Sequence, residues 1–460
     1  MKGVWWLPEN PDHEITGILT FDPQGNSELE LFGSYKKGLS ELPMNQPIIL
    51  GAGENGKAIT LVDCIDLGTG RTVSQFQWVK SRYIPYLIIQ GHHFNSVEEV
   101  SFERVKVSFC GFTEWASTGK GWGNIRAEDR LPVNPPDSDI FAELVDSTLV
   151  FRRGFSWSLR RFKEFSIRED AHVDFVADRP WGYEETIARI FHLGVFLSLA
   201  MKACSWPVSV NAPNPSGPRW ELSIHYHCVT DIQISESVSR YFMYFALDDK
   251  REDIEQRLKN WFAISEILQQ VVYLFSRGIS EKMYPEDRFL TFAKAVEAYH
   301  RQIHEETYID ESEFDALKDD LKKSIRSCIP SAEYKDLRRR IYESLNLANN
   351  PSLHDRLAEL REKHQNHNRK LFEDFGSFSD DVVSTRDYLT HYFDAGESKA
   401  RVDGSSLHYM SEKLRLILDL CLLSELGFSD EELQQMAVKN IPPDPGRPES
   451  TAPQPVQSGG

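Results

Sequence analysis

The six cysteines, Cys64, Cys110, Cys204, Cys228, Cys328 and Cys421, are scattered, and none forms a CxxC pair. That spacing excludes a zinc ribbon or a thioredoxin-like motif and predicts buried free thiols in a reducing compartment rather than a disulfide frame. Long apolar runs are missing too. The most apolar helix-like stretch, Ile187 to Cys204, contains Arg189, His192 and Lys202, which predicts a buried amphipathic helix and no membrane span. The opening MKGVWWLPENPDHE lacks the apolar core of a signal peptide, so the expectation is a soluble cytoplasmic protein. Positive charge is in deficit: 52 Lys and Arg stand against 70 Asp and Glu, a net charge of -18. The average field repels polyanions, so any nucleic-acid contact requires a local basic patch. There are no internal repeats.

What is present is ample core material, 40% hydrophobic and 12% aromatic residues over 460 positions, enough for more than one domain. Short alternating runs fill the first half. Ile15 to Phe21 leads through Asp22-Pro23-Gln24-Gly25 to Leu29-Glu30-Leu31-Phe32, and Ile48-Ile49-Leu50 and Ile59 to Val62 flank Asn55-Gly56. These are hairpin signals, and further strands are expected over Tyr83 to Gln90 and Val105 to Phe109. Residues 116–140 read as a loop, and a helix is expected from Tyr183 to Cys204. A long helix starts near Asp248-Asp249 with Gly278 as its stop, followed by helices over about 285–306, 311–327, 331–348, 351–373, 381–395 and 405–427. The last is apolar all round, as a central core or interface helix is. The fold class is α+β: a β-rich sandwich or barrel-like domain over 1–240, an all-α bundle over 241–440, and a disordered tail over 441–460.

Several motifs have plain readings. Gly51-Ala52-Gly53-Glu54-Asn55-Gly56 fits GxGxxG, but strand-like residues follow it where a dinucleotide site needs a helix, so it is read as a hairpin turn. His225 and His227 near Cys228, the pair His364 and His367, and His92-His93 lack the further ligands of a metal site; no metal and no cofactor are expected. Phe151 to Lys163 carries five basic residues and four aromatics with no acid, a pattern that also suits single-stranded RNA. The plainer reading is preferred: a cationic hairpin with its rings in the core and its arginines paired to acids. The basic stretch from Lys335 to Lys370, including Arg338, Arg339, Arg369 and Lys370, is either a substrate-facing wall or a solvated helix face.

The densest chemistry lies in Arg386-Asp387-Tyr388-Leu389-Thr390-His391. On a helix Asp387 and His391, at i and i+4, share a face. Arg386 precedes His391 by five residues, about 140° around the axis at 100° per residue. The two converge only if Arg386 sits in an irregular first turn or if a second subunit completes the site. Asp380, Asp381, Ser384 and Thr385 are candidate caps for a helix starting just before the motif.

An Arg-x4-His element late in a helical bundle resembles the HEPN ribonuclease family. Val4-Trp5-Trp6-Leu7-Pro8 with Thr16-Gly17-Ile18-Leu19 resembles the N-terminal domain of ApeA-like proteins. Lys259-Asn260-Trp261-Phe262, Met283 to Leu290, and Ala295-Val296-Glu297-Ala298-Tyr299-His300-Arg301 resemble the start of the ApeA-type HEPN domain. The resemblance implies a bacterial anti-phage, abortive-infection endoribonuclease with RNA, tRNA above all, as substrate. It implies a homodimer or higher oligomer formed through the HEPN domain and a phage-derived trigger, with the β-rich domain as a sensor or regulatory module. Arg386, Asp387 and His391 take the catalytic positions, although the residue after the Arg is more often Asn. Glu297, His300 and Arg301 are expected mainly in packing, with a role in lining the cleft as the alternative. The rival expectation is an inactive HEPN-type interaction or ligand-sensing protein.

Overall fold

The computed structural model describes residues 1–22, 26–36, 44–73, 77–117, 139–160, 164–217, 221–226, 238–250, 252–304, 307–391 and 399–438. The chain divides into two compact units, Met1–Ala263 with Ile279–Lys282, and Ile264–Gly278 with Met283–Gly460. The expected tail at 441–460, most of the loop expected at 116–140, and His227 and Cys228 lie outside the described residues.

The first unit opens with β1 (Lys2–Leu7), β2 (Asn10–Phe21), β3 (Ser27–Leu31), β4 (Gln46–Gly53), β5 (Ala58–Val73) and β6 (Gln77–Gln90). All pairings are antiparallel in the order β3-β2-β1-β4-β5-β6, and β3 also pairs with β6, which closes a barrel. Its interior is a cluster of Trp5, Leu19, Leu29, Leu31, Ile49, Leu61 and Tyr83 with their neighbours, the inward half of the alternation visible in the sequence. The GxGxxG segment is the expected hairpin. Gly56, at φ +73, donates to Gly53 O at 2.8 Å, and Gly51 passes so close to Trp5 that a Cβ would stand 2.2 Å from its ring.

β6 divides its outer edge. Ser81 to Tyr83 pair with β3, whereas Leu87 to Gln90 pair with β12 (Glu221–Tyr226). From there the sheet runs through β11 (Pro207–Pro213), β7 (Ser101–Phe109), β10 (Glu164–Gly182) and β9 (Ser147–Arg160) to β8 (Ile140–Glu143). The apolar side of this sheet, with Val105, Val107, Phe151, Val173 and Phe175 buried, is covered by α1 (Phe112–Ala116) and α2 (Tyr183–Met201). Phe112 stacks on Phe151, and Trp115 meets Phe196 edge-on. α2 is the buried helix expected there, and no described helix is long and apolar enough to cross a membrane. Among the cysteines, Cys64, Cys204 and Cys421 are buried, but Cys328 is exposed and Cys110 half-buried, so burial of every thiol does not hold.

The single long helix expected from Asp248 is two helices, α3 (Ile254–Ile267) and α4 (Gln269–Ser280). The start of α3 belongs to the first unit, where Trp261 Nε1 donates to His192 O at 2.8 Å. Gly278 is not a stop. It lies inside α4, where a Cβ would stand 2.6 Å from the ring of Phe292, so glycine serves close packing.

The second unit continues with α5 (Pro285–Ile303), α6 (Glu311–Cys328), α7 (Lys335–Leu345), α8 (Leu353–His364), α9 (Arg369–Phe372), α10 (Phe375–His391), α11 (Gly404–Glu425) and α12 (Asp430–Val438). Pro285 starts α5 at a position where no amide donor is needed. The helix expected over 351–373 breaks after His364 because Asn368 caps α9, accepting from Leu371 N at 3.1 Å, while its amide donates to Ala437 O. α11 is the central helix its apolar sequence requires, packed most extensively on α5. Its buried Leu414, Leu418 and Leu422 each contribute roughly 2 kcal/mol of hydrophobic stabilisation.

Candidate active site

α10 carries the six-residue element. It begins at Phe375, not near Asp381, so Asp380, Asp381, Ser384 and Thr385 are interior residues rather than caps. Ser384 Oγ donates back to Asp380 O. Thr385 Oγ1 accepts from Arg401 N at 3.0 Å, and Asp381 pairs with the Arg401 guanidinium at 3.1 Å. These two residues fasten the chain ahead of α11 onto α10. A helix running unbroken from Phe375 places Arg386 well past the first turn. The irregular turn that would swing Arg386 toward His391 within one protomer is therefore not there.

Arg386 is fixed from two sides. Its Nη1 donates to Asp387 Oδ1 at 3.0 Å, and its Nη2 to Glu297 Oε2 of α5 at 3.1 Å. Burial alone would lower the pKa of the guanidinium, but the bonds to Asp387 and Glu297 outweigh it and hold it above the ordinary value. The side chain remains 34% exposed, so a phosphate has access to a preoriented, permanently charged donor. Asp387 and His391 are exposed, and His391 is the last residue of α10.

The α5 block contributes directly. Glu297 bridges two cations, accepting from Arg386 and from Arg301 Nη2 at 2.9 Å, the latter one turn along and largely exposed. His300 faces inward and is fully buried. Arg356 of α8 can only donate, so its Nη1, 2.9 Å from His300 Nδ1, makes that nitrogen the acceptor. The proton is on Nε2, which donates to Glu359. Burial, with Arg356 and His304 nearby, outweighs Glu359 and keeps the His300 pKa below its ordinary value. The ring is a neutral strut. Of the three residues expected mainly in packing, His300 fits that reading, whereas Glu297 touches the guanidinium of the motif. Arg356 was counted in the sequence only as part of the basic stretch, and Glu359 went unnoticed, because their partner His300 lies on another helix, far away along the chain.

The basic stretch is not one wall. Arg338 donates to Ser331 O at 2.7 Å and closes the turn between α6 and α7, while Arg339 pairs with Asp336. Arg356 is buried against His300, and Arg369 and Lys370 are exposed on α9. Among the described residues, Arg338, Arg339, Arg369 and Lys370 neither hydrogen-bond nor ion-pair with Arg386, Asp387 or Glu297. The hairpin reading of Phe151 to Lys163 holds where it is described: Phe151 is buried, Arg152 pairs with Asp139 and Asp174, and Arg153 pairs with Asp248.

The histidines have polar roles. His93 Nε2 lies 2.8 Å from Gly51 O, His92 Nδ1 lies 3.0 Å from Ser216 Oγ, and His225 Nε2 lies 3.1 Å from Ser223 Oγ while its ring packs on Phe21. His364 and His367 form a buried relay. His367 Nε2 donates to Asp430 Oδ1 at 3.0 Å, and its Nδ1 lies 3.1 Å from His364 Nδ1. His364 Nε2 lies 3.6 Å from the Cys421 sulfur. Burial pushes the Cys421 thiol up to about 12 and, with His367 and Lys363 beside it, drives His364 down to about 3.

Comparison with known families accounts for both units. Residues 1–261 match the ApeA N-terminal domain 1 family, and residues 290–432 match the Apea-like HEPN family. The chain belongs to the ApeA family. It is an ApeA-like protein with a C-terminal HEPN domain. No curated protein and no solved structure matches it. The HEPN match spans Glu297, His300, Arg301, Arg386, Asp387 and His391, and the N-terminal match spans the barrel and the whole sheet.

Proposed function

We propose that this ApeA-like chain is an anti-phage endoribonuclease, acting in the cytoplasm on RNA, with tRNA as its substrate. The 2′-hydroxyl attacks the adjacent phosphorus, the bond to the 5′-oxygen breaks, and a 2′,3′-cyclic phosphate and a 5′-hydroxyl result. His391 takes the proton from the 2′-hydroxyl as general base. Arg386 stabilises the extra charge on the phosphorane. The leaving 5′-oxygen receives its proton from His391 of a second copy, because Arg386 and His391 stand about 140° apart on one continuous helix. HEPN domains commonly dimerise and bind RNA, which supports a cleft shared by two protomers. The requirement for a 2′-hydroxyl restricts the reaction to RNA.

The observation that carries this reading is the guanidinium of Arg386, oriented by Glu297 and Asp387 yet open to solvent, on the same helix as an exposed His391. The same two carboxylates favour the rival, an inactive interaction protein, because an acid beside Arg386 opposes a phosphate. Purified protein incubated with tRNA in EDTA separates the two. Cleavage that leaves cyclic phosphate ends and is lost in Arg386→Ala is the expected result. Intact tRNA, even after addition of infected-cell extract, overturns the nuclease reading.

A further inference from the structure

The sheet of the first unit is apolar on the side covered by helices and strongly polar on the other. Register explains the grouping. Arg152 of β9 pairs with His172 of β10, while Asp174 of β10 and Asn211 of β11 both pair with Lys106 of β7. Residues two apart on a strand share a face, which adds Arg104 beside Lys106. These side chains line a cavity of about 510 Å³, within the usual range of small-molecule sites. Three cations, Arg104, Lys106 and Arg152, share this hollow with two carboxylates, Asp174 and Glu221, in a chain with a net charge of -18.

The hollow is organised. Asp174 is only 1% exposed, and its Oδ2 accepts from both Arg104 and Arg152, the latter at 2.7 Å. Burial would raise the Asp174 pKa, and the two guanidinium bonds more than offset it, so the carboxylate stays charged. The two arginines are thereby held in place, Arg152 with a further bond from Nη1 to Asp139, and both stay partly exposed. Among the described residues no carboxylate lies within ion-pair reach of the Lys106 ammonium. Asp174 Oδ1 is buried and accepts no hydrogen bond; His172 Nε2 stands 4.0 Å from it, on an imidazole whose pKa burial and the nearby Lys106 hold below its ordinary value. A buried carboxylate oxygen without a donor is costly, and the charge it carries holds the two guanidiniums against it. The cavity thus offers two anchored guanidiniums and the Lys106 ammonium to an anion.

We propose that this cavity binds a phosphorylated small molecule of nucleotide size. Its phosphate sits among Lys106, Arg104 and Arg152. Planar guanidiniums and an ammonium suit phosphate oxygens, and the cavity volume suits a small ligand.

Isothermal titration calorimetry on the full-length protein tests this with inorganic phosphate, ATP, GTP, adenosine, guanosine and a short RNA. At least one mononucleotide is expected to bind, and the nucleosides to fail. Loss of one charge-assisted contact in Lys106→Ala weakens that binding about tenfold. Lys106→Met keeps the aliphatic stem and serves if the alanine variant melts early, and Lys57→Ala, on an exposed turn, must bind like wild type. Inorganic phosphate binding without mononucleotide binding overturns the nucleotide-size claim. Binding of RNA alone, of no phosphate-bearing probe, or equal binding by Lys106→Ala and wild type overturns the proposal. The readout needs no RNA cleavage, so its outcome is independent of the nuclease reading.

Discussion

Replacement of His364 by Gln should flatten the acid sensitivity of the helical unit. His364 is fully buried between Cys421 and His367, and its pKa falls from 6.5 to about 3 on folding. A group depressed in this way binds fewer protons in the folded state. Its stabilising contribution is complete above about pH 6.5 and is lost as pH falls toward 3. With those two values, moving from pH 7.5 to pH 5 costs the folded state roughly 2 kcal/mol from this imidazole alone. Gln does not titrate, so the variant lacks that loss, although it is less stable at pH 7.5 by about 1–2 kcal/mol through the disturbed relay. Urea denaturation followed by far-ultraviolet circular dichroism at both pH values measures the difference. All ten tryptophans lie at or before Trp261, so fluorescence follows the first unit separately and should not respond to the substitution. Equal losses of helical stability in wild type and His364→Gln between pH 7.5 and pH 5 would refute the assignment of a buried neutral imidazole.

Other substitutions bear on the site and the barrel. Arg386→Ala and His391→Ala should each lower tRNA cleavage by about two orders of magnitude or more while leaving circular dichroism unchanged; wild-type rates in either would remove that residue from the chemistry. Asp387→Asn keeps an acceptor for Arg386 but removes a negative charge beside the phosphate position, so RNA should bind about fivefold more tightly in filter binding at low salt. Weaker binding would mean that the carboxylate orients Arg386 productively. Gly51→Ala drives a methyl group into the Trp5 ring, 2.2 Å from the nearest ring atom, and should cost about 1–3 kcal/mol in the fluorescence-detected transition. An unchanged midpoint would show that the barrel wall yields there.

The alternation of apolar residues and the turn chemistry at Asn55-Gly56 were sufficient for the hairpins, because side-chain period and positive-φ preference are local properties. The helices of the second half were legible from their apolar spacing for the same reason. The ends of helices were less so. Asn368 stops one helix through bonds to Leu371 and Ala437, and Gly278 reads as a stop although its role is contact with Phe292. Both depend on partners on other elements.

Residue order alone determined that Arg386, Asp387 and His391 fall in one helical segment; that Arg386 and His391 stand apart on it followed only once the structure showed α10 unbroken from Phe375. Only the tertiary structure decided that Glu297 reaches across from α5 to orient Arg386, that His300 is locked neutral between Arg356 and Glu359, and that Arg104, Lys106, Arg152 and Asp174 meet in one hollow. The physical reason is range. Helix and strand periodicities act over a few residues, whereas ion pairs and cavities form between segments that chain folding brings together from distant positions.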